Sequence, residues 1–80
     1  MRVSKRIMNP ARLAQLKIIE QAGETNAMFV MNRSHKNKEQ IDLSLLRFAE
    51  NGLIKFTGGG YFEITEKGRV YLGKRQEKVY

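Results

Sequence analysis

The chain has no cysteine, which removes disulfides and thiolate zinc sites together as means of bracing a small fold. It has one histidine, and Asp42 is the sole aspartate. A catalytic triad or a metal cluster therefore has almost nothing to draw on, and the expectation is a protein that is not an enzyme and holds no cofactor or metal. No stretch approaches the ~18 apolar residues of a membrane span. The opening residues MRVSKRIMNP are basic but lack the apolar region of a signal peptide. The expected location is the cytoplasm, with no membrane partner. Repeats, low-complexity tracts and domain linkers are also missing.

What remains is 80 residues at 41% hydrophobic content, enough for one modest core and too little for two. Without disulfides, a partner subunit becomes a reasonable source of extra stability. The one strong compositional signal is charge. Fifteen Lys/Arg against eight Asp/Glu give a net charge of +7 and a pI near 10.1. Clustered cations release the counterions condensed on a polyanion, so a nucleic acid is the natural partner class.

Along the chain, Asn9-Pro10 reads as a helix start, because asparagine caps free backbone N–H groups and proline suits the first helical position. The helix runs to Ala22, with Leu13, Leu16, Ile18 and Ile19 on its apolar arc and Arg12, Gln15, Lys17 and Glu20 toward solvent or rims. Gly23 closes it. Ala27 to Met31 is compatible with a strand or a short helix; Thr25 or Asn26 in the cap position favours the helix. Met8, Met28 and Met31 read as core filler.

Asn37 followed by Gln40 resembles a capping box that opens a third helix over about Lys38 to Asn51. Its expected buried side is Ile41, Leu45, Phe48 and Ala49, with Leu46 at the margin. Gln40, Ser44, Arg47 and Asn51 are expected to line the opposite side. Gly52 then leads into Leu53 to Thr57, three glycines, and Tyr61 to Ile64. Alternation assigns Ile54, Phe56, Phe62 and Ile64 to one face, and Lys55, Thr57, Tyr61 and Glu63 to the other. This is a β-hairpin whose glycines supply the positive φ of a tight turn. Thr65-Glu66 begins a last helix through Val70, Tyr71 and Leu72 toward Lys78, weakened by Gly68 and Gly73.

The order helix, short helix, helix, hairpin, helix, with the phrases LLRFAENGLI and YFEITEKGRVYL, resembles the winged helix-turn-helix family of small bacterial and archaeal regulators. The resemblance covers about residues 9 to 75. It implies an α+β fold: a three-helix core, a two-stranded β-hairpin wing and a C-terminal helix. It divides the chain into a basic N-terminal arm at 1–8 and a winged-helix domain at 9–80.

The implied function is sequence-specific binding of double-stranded DNA in transcription regulation, with the third helix in the major groove. Gln40, Ser44 and Arg47 then become candidates for base contact. Arg33, Lys36, Asn37, Lys38, Lys55, Thr57 and Tyr61 become candidates for backbone contact. The wing is short and has no arginine at its tip, which departs from the family's commoner members. Glu39, Asp42 and Glu50 restrict base contact to the first turns of the helix.

Other readings stand beside these. Arg47 can pair with Glu50 or Asn51 on the helix surface. His35 sits in a polar loop without a metal-ligand partner. The three glycines lack the Lys-Ser/Thr and the following helix of a phosphate-binding loop. Arg2, Lys5 and Arg6 form either an arm on DNA or a solubilising tail. Val70, Leu72, Val79 and Tyr80 form either a homodimer seam or, for the first two, packing against the first helix. The alternative function is a winged-helix interaction module or inhibitor, possible in a mobile element, that binds a protein instead of DNA; exposed Leu43 and the apolar residues of the last helix motivate it.

Overall fold

The computed structural model describes the backbone of residues 10–77 and the side chains through residue 73. The Asn9 cap, the arm at 1–8, and Val79 and Tyr80 lie outside the described residues. Within them the chain forms α1 (Pro10–Ala22), β1 (Thr25–Asn26), α2 (Ala27–Ser34), α3 (Lys38–Glu50), β2 (Ile54–Gly58), β3 (Tyr61–Ile64) and α4 (Glu66–Glu77). It is an α+β fold of four helices and one antiparallel sheet.

Each helix boundary has a local cause. Gly23 takes φ +76° after α1, a left-handed value that costs glycine little. Asn26 caps α2 by accepting from the Phe29 N–H at 2.9 Å, which settles Ala27 to Met31 as helix. At α3 the expected capping box is present: Asn37 Oδ1 accepts from the Gln40 N–H at 2.9 Å, and Gln40 Oε1 accepts from the Asn37 N–H at 3.3 Å. Thr65 caps α4 by accepting from the Gly68 N–H at 3.1 Å. Its own hydroxyl donates to the Gly52 carbonyl at 2.6 Å, tying the end of α3 to the start of α4.

The sheet has one strand more than the sequence suggests. Its order is β1-β3-β2, with Thr25 opposite Phe62 and Asn26 opposite Tyr61. A two-residue strand carries no alternation to detect, so only the fold reveals it. In the hairpin Ile54 faces Ile64, Lys55 faces Glu63 and Phe56 faces Phe62, and then Gly58 faces Tyr61. Thr57 is the extra residue of a bulge. Gly59 and Gly60 take φ +60° and +84°, both positive as a tight primed turn requires.

The core is built from Leu16 and Ile19 of α1, Val30 of α2, Ile41, Leu45 and Phe48 of α3, Leu53, Ile54, Phe62 and Ile64 of the hairpin region, and Leu72 of α4. Helix α1 packs against α2, β3 and α4. That enclosure from several sides buries Gln15, which the apolar arc had assigned to solvent or a rim. One further expectation fails, for Met28, and Phe56 keeps its expected face uncovered, because periodicity fixes a face without saying whether anything covers it. Phe56 lies on the same face as Phe62 but is 59% exposed, with the two rings edge to face at 5.8 Å. Met28 is exposed on α2 instead of filling the core.

Candidate nucleic-acid interface

The α2–α3 turn is a compact, polar structure. His35 ends α2 in the left-handed region at φ 58°, and its N–H donates to the Met31 carbonyl at 2.8 Å. Lys36 and the Asn37 cap follow, so Lys36 and Lys38 lie next to the positive end of the α3 dipole in the chain. The Arg33 guanidinium stands 4.8 Å over the Phe29 ring, an arrangement that restrains its long side chain. Lys38 donates to Asp42 at 2.7 Å. That hydrogen bond, with the carboxylate's charge, holds the Lys38 ammonium above its usual pKa of 10.5.

Gln40 and Arg47 are exposed and share one edge of α3, two turns apart. The capping box uses the Gln40 oxygen, so the amide nitrogen is the part it presents outward. Arg47 lies 3.6 Å from Glu50, the surface pairing foreseen for it. Ser44 does not belong to this edge. It is 3% exposed and cannot touch a base. Ile41, Ser44, Leu45 and Phe48 have the i, i+3, i+4, i+7 spacing of a buried helical stripe, a signal present in the sequence but overridden by the hydroxyl's polarity.

On the hairpin the candidate side chains are already engaged with acids. Lys55 Nζ is 3.3 Å from Glu63 across the strand pair, and the Thr57 hydroxyl donates to Glu24. Tyr61 is exposed. Exposed ion pairs are screened by water and contribute little, so Lys38, Arg47 and Lys55 can exchange a carboxylate for a phosphate readily. The hairpin nonetheless brings as much negative as positive charge to its surface.

Charge is unevenly placed. Residues 10–73 hold nine Lys/Arg and seven Asp/Glu, so five of the seven net positive charges lie in the segments before and after them. Helix α3, KEQIDLSLLRFAE, has three acids and two bases. It is a net-negative helix in a strongly basic chain. Its outermost line, opposite Ile41, Leu45 and Phe48, is Glu39, Leu43, Leu46 and Glu50, all exposed. Leu46, assigned to the margin of the core, belongs to that outer line instead. Net charge counted helix by helix would have found this feature in the sequence.

Comparison with protein-family models finds no match, and no curated protein matches the sequence. Among the described residues, no three His, Asp or Glu side chains converge on a site that could hold a metal ion. No described helix is long and apolar enough to cross a membrane.

Proposed function

We propose that this chain is a small winged-helix protein that binds duplex DNA in transcription regulation, through the α2–α3 turn and one exposed edge of α3, with the hairpin as an auxiliary wing. The observation that carries the reading is the polar and cationic group in and beside the α2–α3 turn: exposed Arg33 and Lys38 with half-buried Lys36 between them in sequence, and exposed Gln40 and Arg47 along one edge of α3. The order of helices and hairpin supports it. Arg33, Lys36, Asn37 and Lys38 neutralise or bond phosphates and fix the register; Gln40 and Arg47 reach base edges, where the outward Gln40 amide N–H donates to a purine N7 and arginine suits guanine. Lys55, Thr57 and Tyr61 touch the neighbouring backbone.

The test is selection of binders from random duplex DNA across a salt series, with sequencing of the enriched pool. A defined motif that persists near physiological salt is the expected result. Arg47→Ala should then relax preference at one position, whereas Lys36→Ala should weaken all sequences alike and reduce the log–log salt slope by about 1. Ser44→Ala should leave the motif unchanged. Binding without any motif, lost steeply as salt rises, would reduce the interaction to charge attraction and overturn the reading.

A further inference from the structure

The outer line of α3 suits a different ligand from the edge beside it. Leu43 and Leu46 are 44% and 53% exposed, and their i, i+3 spacing makes them neighbours on the surface. Glu39 stands one turn before Leu43 and Glu50 one turn after Leu46, so two leucines are bracketed by two carboxylates. Facing DNA, those carboxylates would meet phosphates of the same sign, and the leucines would find few apolar atoms beyond thymine methyls. A second copy of this chain fits no better. Antiparallel pairing of the two α3 helices sets Glu39 against Glu50 of the partner subunit, and parallel pairing sets each glutamate against its equivalent.

We infer that the Glu39-Leu43-Leu46-Glu50 ridge of α3 is a docking surface for a basic amphipathic helix of another protein. The complement of two leucines between two glutamates is a helix with aliphatic residues at i, i+3 or i+4 along one face and Lys or Arg at both ends of that face. The 13 residues of α3 extend roughly 20 Å, enough for a partner segment of about 12–14 residues. Charge complementarity sets the choice of partner, and it is unusual here. Residues 10–73 carry only two net positive charges, and the ridge sets two exposed leucines between two exposed carboxylates, of which Glu50 would exchange its exposed contact with Arg47 for a partner cation, so charge and apolar complementarity coincide there. Gln40 and Arg47 flank the ridge, so a docked helix and a DNA duplex would exclude one another.

The test uses the full chain and two synthetic helical peptides of 14 residues with the same leucine face. One carries lysine at its flanks and the other glutamate. Binding is followed by fluorescence anisotropy in about 0.1 M salt, by amide shifts in two-dimensional NMR spectra, and alongside sedimentation of the protein alone. The lysine peptide should bind at least tenfold more tightly than its glutamate twin and shift amides within residues 39–50.

The double variant Leu43→Ser/Leu46→Ser, at exposed positions that leave the core intact, should lower that affinity at least tenfold. Glu39→Lys/Glu50→Lys should invert the preference between the two peptides. Equal binding of both peptides, shifts centred on the hairpin or α1, or indifference to the charge reversal would overturn the inference. A dimer of the protein alone that dissociates in the leucine variant would overturn it in favour of a second copy. Each readout is taken without DNA, so it stands or falls separately from the duplex-binding reading.

Discussion

At the scale of single residues, Gly68 is the position with least room. A Cβ placed there would stand 2.4 Å from the Leu53 carbonyl oxygen and 2.6 Å from Ile64 Cγ1, a backbone atom and a buried branch that cannot swing aside. From the sequence alone this glycine only weakens a helix; in the fold it lets α4 press against the hairpin. Gly68→Ala should lower unfolding free energy in urea by about 1–3 kcal/mol, despite the roughly 1 kcal/mol that alanine gains in helix propensity. Gln15 is the opposite case. Its side chain is buried and its Oε1 has no hydrogen-bond partner among the described residues, so within them the desolvation of a polar atom goes without compensation. Gln15→Met, similar in length and volume, should leave the thermal midpoint unchanged or raise it by a few degrees for a domain of this size. A loss of stability would mean that the amide has a structural partner.

Between elements, Thr65 joins parts of the chain that sequence order separates. Its hydroxyl donates to Gly52 and accepts from Gly68, and its N–H donates to the Leu53 carbonyl at 3.0 Å. One residue thus holds the exit of α3, the entry to the hairpin and the first turn of α4. Thr65→Val keeps the shape but removes both hydroxyl bonds, and should cost about 1–3 kcal/mol in denaturant melts. Thr65→Ser should retain most of that stability, since serine can make the same two bonds. The element boundaries themselves were readable from the chain: the Asn37 and Gln40 capping box, Thr65 before Glu66, and the triple glycine each carry a local chemical signature. Strand β1 was not readable, because Thr25 and Asn26 become a strand only through β3 beside them.

For the whole molecule, α4 is where the sequence suggested a seam with a second copy. Leu72 is in the core while Val70, two residues earlier, is exposed. The two residues therefore do not form one seam. Leu72→Asp should unfold the domain, seen as loss of helical circular dichroism. Val70→Asp should leave the fold intact, and if two copies associate through α4, sedimentation should show the variant shifted to the monomer mass. An unchanged mass would place any dimer contact away from Val70. Charge is also a whole-molecule property: the excess that suggests a polyanion lies mostly outside residues 10–73, while α3 is net negative. A single figure of +7 concealed that division.

By itself the sequence determined the starts of α3 and α4, the hairpin and its turn, and the apolar residues Ile41, Leu45 and Phe48 that anchor α3, because caps, glycines and periodicity act over a few residues. Only the tertiary structure decided that Gln15 is enclosed, that Phe56 and Met28 are not, and that Lys55 and Thr57 meet Glu63 and Glu24. Periodicity tells which way a side chain points. Whether another element arrives to cover it, or a carboxylate arrives to pair with it, depends on segments distant in the chain, and that information exists only once they have packed.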